Sequence, residues 1–195
     1  MKDTFDIAII GAGPAGTACA LALRGSGLKV ALIDKSIFPR DKICGDAIPG
    51  PAFKAMDKIN PIWGKAMRAF TDKHEIRTGR MFSPNGKSIS LDWVTYAYNS
   101  KRIDFDNFLI ELVRKETTTA ILENKRLKSI ELQEDGVCCQ FQDETEIFAS
   151  IVIGCDGANS FVKRKLAEDD KTNEHACSAV RAYYSNVTGI EEEIG

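Results

Sequence analysis

Three glycines between two apolar runs have the spacing of a phosphate-binding turn. They are Gly11, Gly13 and Gly16, and they follow the apolar run Phe5–Ile10. Thr17–Arg24, a run of good helix formers, comes directly after them. In this pattern Gly11 allows a tight turn, Gly13 lets the backbone approach a pyrophosphate, and Gly16 lets the helix pack closely on the strand. The amino end of the helix would add unpaired N–H groups and a positive dipole end for an anion.

An acidic residue at the end of the next apolar run completes the pattern. The run Lys29–Asp34 predicts a second, parallel strand, because strand, helix and strand within roughly 30 residues form a βαβ unit. Asp34 closes that strand, where a carboxylate can accept hydrogen bonds from a ribose. These residues predict an adenine-dinucleotide site without deciding between FAD and NAD(P). Further contacts are expected from Pro14 and Ala15 in the turn and from Lys35 beside the acid.

Composition and charge exclude several classes of protein. The 195 residues are 44% hydrophobic and 28% charged, which is typical of a globular chain of one or two small domains. The net charge of −2 argues against nucleic acid as a partner, because phosphate-backbone binding needs a basic face. No apolar stretch approaches the roughly 18 residues of a membrane span. Six cysteines without a CxxC pair and two histidines predict no metal site, and we expect reduced thiols in the cytoplasm.

Apolar periodicity predicts the elements that must position the turn. The expected helices after the βαβ unit are Ala52–Ile59 and Asp104–Lys115, the second with Asp104 as its N-cap. The expected strands are a hairpin, His74–Phe82 and Lys87–Trp93, a meander, Leu127–Gln133, Val137–Gln142 and Glu146–Ile153, and a last strand, Ser178–Val187. Segments 36–51 and 168–174 are expected to be a structured loop and a solvated connection.

Later segments favour FAD over a nicotinamide cofactor. A nicotinamide domain would continue as βαβ, whereas here a meander leads into the segment IGCDGANSFVKRKL at 153–166. Three earlier segments belong with it: IIGAGPAG at 9–16, PRDKICGDAI at 39–48 and RIDFDNFL at 102–109. RAYY at 181–184 is a fifth. On these segments the sequence resembles the FAD-dependent hydroxylase-like flavoproteins and, within them, the geranylgeranyl reductase family.

The resemblance implies a role for individual residues. Arg102 opens the segment whose arginine contacts FAD in the family, and Asp156 and Gly157 take a position close to the cofactor. The backbone of Cys44, Gly45 and Ala47 would lie along the flavin. Leu127 is the candidate on the adenine side. Lys163 stands where the related hydroxylases usually carry arginine, and lysine lacks the guanidinium fork. The alternatives are a surface arginine for Arg102, a plain turn for Asp156 and Gly157, and a merely buried or surface thiol for Cys44.

The resemblance also implies the fold and the domain organisation. We expect an α/β chain with a discontinuous, Rossmann-like FAD-binding domain at 1–60 and 98–167, whose parallel sheet has a β-meander crossover. Residues 61–97 and 168–195 would begin an antiparallel substrate-domain sheet. Four aromatic residues are expected in the core rather than around a substrate, namely Trp63, Trp93, Tyr183 and Tyr184. Family members are longer and carry a second Gly-Asp segment, so we expect a fragment or a shortened relative with an incomplete FAD site.

Three functions remain open at this point. The first is an FAD-dependent reductase that takes hydride from NAD(P)H or another reductant and reduces carbon–carbon double bonds of an apolar isoprenoid-type substrate. Such a lipid substrate would suggest peripheral membrane contact. The second is a monooxygenase or halogenase on the same fold. The third is a catalytically incomplete dinucleotide-binding chain. The pattern identifies no catalytic acid, base or nucleophile, and it does not predict the oligomeric state.

Overall fold

The computed structural model describes residues 3–167 and 178–189. Its strands are β1 (Asp3–Ile10), β2 (Val30–Ile33), β3 (Ala47–Ile48), β4 (His74–Phe82), β5 (Ser88–Asn99), β6 (Ala120–Leu122), β7 (Leu127–Gln133), β8 (Gly136–Phe141) and β9 (Glu146–Gly154). Its helices are α1 (Pro14–Ala22), α2 (Gly50–Ile59), α3 (Pro61–Ala69), α4 (Arg102–Glu116) and α5 (Phe161–Leu166). The chain divides into two compact units, Met1–Arg40 with Asp106–Cys177 and Asp41–Phe105 with Ser178–Gly195. The domain boundaries expected from the resemblance stay a prediction.

The first unit is built on a six-stranded sheet in the order β6–β2–β1–β9–β8–β7. β6, β2, β1 and β9 are parallel, whereas β9, β8 and β7 form an antiparallel meander. All of β2 and the last four residues of β1 are buried, as in strands covered on both faces. This sheet confirms the predicted α/β class and the meander. Ile10 pairs with both Ile33 and Gly154, so three strands end at one edge of the sheet.

The hydrophobic core of the first unit lies directly behind that edge. It joins strands of the sheet to α5 through a cluster of buried residues: Phe5, Ala8, Ile10, Ala31, Ile33, Ile130, Val137, Cys139, Phe141, Ile147, Ala149 and Val162. Ile10 and Ile33 immediately precede Gly11 and Asp34 in the chain. Packing of the core therefore fixes the points from which the glycine turn and the acidic residue depart.

The second unit contains a three-stranded sheet in the order β3–β5–β4 and the helices α2 and α3. The predicted hairpin is confirmed: Ser83 N donates to Lys87 O at 2.8 Å and Gly86 has φ +81°, which suits glycine. The sequence reasoning missed α3, although Asn60 caps it by accepting from Ile62 N at 2.9 Å and Pro61 occupies its first turn. It also missed β3 and β6, which have two and three residues.

Two expected local structures were wrong. The described residues Ser178–Gly189 contain no strand, and their polar side chains, rather than a backbone ladder, attach the segment to the rest of the unit. Asp104 is not an N-cap, because α4 begins at Arg102 and Asp104 lies inside its first turn, where a carboxylate still suits the helix dipole. The connection 168–174 lies outside the described residues.

Candidate functional site

The glycine turn is tied to the strands on both sides of it. Gly11 N donates to Ile33 O at 2.7 Å, and Cys155 N donates to Ile10 O at 2.7 Å. Gly11 has φ +102°, and a Cβ there would lie 2.4 Å from Cys155 O. A Cβ on Gly16 would lie 1.8 Å from Gly11 O. Both positions therefore require glycine for close approach of backbone to backbone, as the spacing predicted.

The amino end of α1 is open to an anion. Gly13 is its N-cap and supplies no side chain, Pro14 occupies the first turn, and that turn carries no acidic residue. Ala15 follows Pro14 in the same turn. Because the first N–H groups of a helix lack intrahelical acceptors, this end presents donors and a positive dipole without a carboxylate to neutralise them. It has the chemistry of a phosphate site.

Asp34 is fixed beside the glycine turn and is only 9% exposed. Its Oδ2 accepts from Ala12 N at 2.8 Å, and its Oδ1 accepts from Ser36 N at 2.9 Å. Each carboxylate oxygen can accept a second hydrogen bond, so these two contacts orient the group and leave it capacity for a hydroxyl. Lys35, the next residue, is exposed.

The chain before Leu127 lies against the same end of β2. Lys125 N donates to Asp34 O at 2.9 Å, and Asn124 N donates to Ser36 O at 3.2 Å. Leu127 opens β7 two residues later and packs partly buried against the core. The residue that contacts Asp34 is thus Lys125, two positions before Leu127, and the adenine-side role of Leu127 stays a prediction.

An ion pair behind Asp34 was missed by the sequence reasoning. Arg40 Nη1 donates to Asp106 Oδ2 at 2.8 Å, and Arg40 Nη2 lies 3.7 Å from Asp34 Oδ2. Asp106 is completely buried on α4, and the Arg40 guanidinium lies 4.8 Å from the centre of the Phe38 ring. The position of Asp106 among the buried residues of α4 could have indicated a carboxylate that needs a cation. Its partner, Arg40, is distant in sequence and could not have been identified.

Asp156 has one satisfied and one unsatisfied carboxylate oxygen. Its Oδ2 accepts from Phe161 N at 2.5 Å and from Val162 N at 3.3 Å. Its Oδ1 is buried and has no hydrogen-bond partner among the described residues. An unsatisfied buried acceptor costs about 1–3 kcal/mol, so this oxygen is a place for a donor from a ligand. Gly157, the next residue, has φ +85°.

The thiols near the glycine turn are poor nucleophiles. Burial raises the pKa of Cys19 on α1 and the pKa of Cys155 after β9, and the charge of Asp156 adds to the second shift. A thiol with a raised pKa stays protonated near neutral pH, and the thiolate is the reactive form. The five described cysteines are all free. Neither Cys19 nor Cys155 is therefore suited to act as a nucleophile.

Four predicted site residues belong to the second unit. Cys44 and Gly45 lie half-buried and exposed, respectively, in the loop before β3, and Ala47 opens β3 by pairing with Asn99. A Cβ on Gly45 would meet nothing within 4 Å, so one side of this backbone is open. Arg102 begins α4, and its charge contributes, after the hydrogen bond from Arg181, to lowering the pKa of Asp41.

The aromatic residues divide between core and surface. Trp63 is 3% exposed and belongs to the core, as predicted. Trp93, Tyr183 and Tyr184 are exposed, so their expected burial was wrong. Trp93 lies on β5 beside Gly79, whose missing side chain leaves room for the indole ring.

Membrane spans and metal sites are not found in the part of the chain that the structure describes. Within residues 3–167 and 178–189, no helix combines the length and the apolar character needed to cross a membrane. The same ranges contain no group of three or more His, Cys, Asp or Glu side chains placed to hold a metal ion. His175 and Cys177 lie outside them.

Sequence comparison identifies relatives along almost the whole chain. The model of the FAD binding domain family matches residues 4–185. Menaquinone reductase of Mycobacterium tuberculosis is 29% identical over 194 residues, covering 95% of this chain and 45% of the relative. Digeranylgeranylglycerophospholipid reductase of Methanosarcina mazei is 31% identical over 178 residues, covering 84% and 40%. The chain thus spans less than half the length of these relatives.

Solved structures share the fold at lower identity. The halogenase PltM in complex with phloroglucinol and FAD superposes with a TM-score of 0.69 at 19% identity, covering 82% of this chain and 36% of that one. The p-nitrophenol 4-monooxygenase PnpA of Pseudomonas putida superposes with a TM-score of 0.71 at 21% identity, covering 85% and 44%.

Proposed function

Because the chain belongs to the FAD-binding domain family, we propose that it acts in an FAD-dependent oxidoreductase that reduces carbon–carbon double bonds of an isoprenoid-type substrate. FAD is the cofactor of the family, and the reductase activity is supported by relatives named as menaquinone and digeranylgeranylglycerophospholipid reductases. One observation carries the cofactor half of the proposal. The hydrogen bond from Ala12 N to Asp34 Oδ2 fixes a carboxylate beside an open helix end.

The first unit fits the adenine half of FAD. The amino end of α1 and the backbone of Gly13 would receive the pyrophosphate, and Asp34 would accept from the ribose. Gly11 and Gly16 allow the close approach that this arrangement needs. The orphaned Oδ1 of Asp156 adds a buried acceptor that a ligand hydroxyl or a bound water would satisfy.

The second unit would contribute the contacts that the resemblance implies. Arg102 carries a charge suited to a phosphate, since guanidinium groups donate planar hydrogen bonds. Cys44, Gly45 and Ala47 would line the flavin with their backbone, and the open side of Gly45 is consistent with that role. Lys35 and Leu127 remain candidates for contacts on the adenine side.

The chain's own contribution to the reaction is binding and orientation. When bound, the flavin supplies the hydride chemistry, with NAD(P)H or another reductant as its electron source. The raised pKa values of Cys19 and Cys155 keep both thiols protonated and remove them as nucleophiles. Charge near the adenine half of the cofactor would come from Asp34 and Arg40 of the first unit, so the expected effect of this protein on the reaction is electrostatic and geometric.

The direct test is retention of FAD followed by substrate reduction. The purified chain is incubated with excess FAD, desalted and examined for the visible absorbance of oxidised flavin. Retained absorbance that bleaches with a reductant and returns on addition of a prenyl alkene under anaerobic conditions supports the proposal. A flavin-loaded protein whose absorbance does not return with any prenyl alkene contradicts the proposed substrate class.

A second candidate is a monooxygenase or halogenase. It is favoured by the shared fold of the solved halogenase and monooxygenase structures, although identity near 20% supports the fold alone. Oxygen consumption on addition of NAD(P)H and a phenolic substrate separates this candidate from the reductase. Oxygen uptake coupled to phenol turnover, without alkene reduction, would favour it.

The third candidate is a dinucleotide-binding chain without catalysis. It predicts a colourless protein after desalting that still binds ADP through the glycine turn.

The reductase proposal also suggests a cytoplasmic protein with peripheral contact to a membrane, because an isoprenoid substrate partitions into lipid and all described cysteines are free. Co-sedimentation with lipid vesicles measures that contact.

A further inference from the structure

We propose that Arg181 and Tyr183 are positioning residues that hold the loop Asp41–Ala47 in the conformation that presents Cys44 and Gly45. These two residues are called the clamp, and Asp41–Ala47 is called the 41–47 loop. Both belong to the second unit. That the presented residues face the flavin rests on the proposed function, whereas the clamp itself rests on the contacts described next.

Arg181 holds the first end and the far end of the 41–47 loop at once. Its Nη1 donates to Asp41 Oδ1 at 3.2 Å, to Lys42 O at 3.1 Å and to Asp46 Oδ1 at 3.4 Å. Its Nη2 donates to Asp41 Oδ2. A guanidinium can bridge several acceptors in this way because its donors form a rigid planar fork. Arg181 therefore brackets Cys44 and Gly45, which lie between these contacts.

Tyr183 adds a second contact to the same loop. Its hydroxyl donates to Asp46 Oδ2 at 2.5 Å, and its ring lies 4.6 Å from the Arg181 guanidinium carbon. The hydrogen bond to Asp46 raises the pKa of Tyr183, so the phenol stays a donor at neutral pH. The hydrogen bond from Arg181 lowers the pKa of Asp41, which keeps that acceptor ionised.

The backbone of the 41–47 loop needs such support at Asp46. This residue has φ +59°, in the left-handed region that residues with a side chain adopt only uncommonly. Ser100 N donates to Asp46 O at 2.9 Å, which fixes the backbone, while the clamp engages both carboxylate oxygens. A costly conformation persists where surrounding contacts over-determine it. Here those contacts come from a segment more than 130 positions away.

The clamp predicts a local change when it is removed. Without Arg181, the 41–47 loop would sample other conformations, and the half-buried thiol of Cys44 would become more accessible. Cys139 provides an internal reference, because it is fully buried and burial raises its pKa to about 12. Unfolding of the first unit would expose Cys139, and unfolding of the second unit would change the fluorescence of Trp63, which is buried there. Loss of the clamp would expose Cys44 and leave both of these signals unchanged.

The experiment measures iodoacetamide alkylation of each cysteine by peptide mass spectrometry in the full chain. The variants are Arg181→Gln, Arg181→Lys and Tyr183→Phe, with Arg77→Gln as the matched control. Arg77 is an exposed arginine of the same unit that pairs with Glu75 on β4. We expect Cys44 to react roughly five- to tenfold faster in Arg181→Gln. A smaller increase is expected in Arg181→Lys and Tyr183→Phe, and none in Arg77→Gln.

Each outcome separates the clamp from the proposed function. An unchanged Cys44 rate in Arg181→Gln, an equal rise at Cys139, or a fluorescence change at the buried Trp63 that accompanies the rise at Cys44 overturns the clamp. Faster Cys44 alkylation with no FAD retention by the parent chain leaves the clamp standing and rejects FAD binding by this chain on its own. If FAD is retained, addition of FAD before alkylation should slow Cys44 labelling in the parent chain. Equal rates with and without bound FAD would reject the placement of this loop against the cofactor.

Discussion

The glycine turn and the 41–47 loop are held in place by different kinds of contact. The turn is held by backbone hydrogen bonds to β2 and β9 and by glycines that no larger residue can replace. The loop is held by side chains, chiefly Arg181 and Tyr183, that arrive from a distant part of the chain. Both present backbone rather than side chains as their predicted contact surface.

This difference teaches where each region tolerates change. At Gly11 and Gly16 an added methyl group would meet backbone atoms, which cannot move aside as the end of a flexible side chain can. A single added methyl group therefore disrupts the turn. Ion pairs and hydrogen bonds between partly exposed side chains, such as those of the clamp, contribute modestly to global stability but restrict local conformations. We therefore expect substitutions at the turn to unfold the first unit and substitutions at the clamp to loosen one loop.

The largest effect is expected for Gly16→Ala. The new Cβ would lie 1.8 Å from Gly11 O, a backbone atom. We expect the free energy of unfolding to fall by about 4 kcal/mol or more, and ADP binding to be lost. Urea denaturation and calorimetric ADP titration measure the two effects.

Gly27→Ala is the matched control for that prediction. Gly27 lies beyond the end of α1 with φ +78°, and a Cβ there would meet nothing within 4 Å. Only the backbone conformation is penalised, so a loss of about 1 kcal/mol is expected. Equal losses in the two alanine variants would contradict the steric account of Gly16, because Gly16 lies inside α1 and incurs no such conformational penalty.

An intermediate effect is expected for Arg40→Met. This substitution leaves the fully buried carboxylate of Asp106 without the cation that lies 2.8 Å away. Removing one partner of a buried ion pair costs about 3 kcal/mol, and the same variant should weaken ADP binding because Asp34 loses a neighbouring charge. Urea denaturation is compared with that of Arg126→Met, an exposed arginine of the same unit. A loss as small as in the control would show that Arg40 is dispensable for the site.

The smallest effect is expected for an exposed ion pair of the first unit. Asp143 accepts from Lys125 Nζ and from Thr145, and these hydrogen bonds lower its pKa to about 2. The folded pKa lies below the ordinary value, so this stabilisation is present above about pH 4 and is lost as the pH falls toward 2. The urea midpoints of the parent chain and Asp143→Asn should differ slightly at pH 6 and converge near pH 2. A difference that persists unchanged at pH 2 would contradict the assigned ion pair.

Local patterns predicted the glycine turn, the hairpin and the meander because short sequence segments specify them. The spacing of Gly11 and Gly16 predicts close approach of backbone to backbone, and alternating apolar residues predict strands. The same logic missed α3, where Pro61 and Gly64 look like helix breakers although proline suits a first turn and Gly64 packs against Asp57. It overestimated Ser178–Val187, because β-forming residues make a strand only where a partner strand is available.

Long-range partners were beyond the sequence patterns. The pairing of Arg40 with Asp106 joins positions 66 residues apart, and Arg181 reaches Asp41 across 140. Each contact depends on how separate elements fold together, which neither periodicity nor spacing encodes. Arg40, Asp106 and Arg181 all lie in the segments that carry the family resemblance, but those segments do not indicate which residues pair with one another.

The most direct test of the account is ADP binding by an Asp34→Ala variant of the chain. Removal of the charge-assisted acceptor beside the glycine turn is expected to weaken ADP binding by about 10- to 100-fold, equivalent to roughly 1.4–2.8 kcal/mol. Asp135→Ala, which removes an exposed carboxylate in the turn between β7 and β8, should bind ADP like the parent chain. Circular dichroism establishes that both variants are folded. Unchanged ADP affinity in folded Asp34→Ala would contradict the assignment of the dinucleotide site.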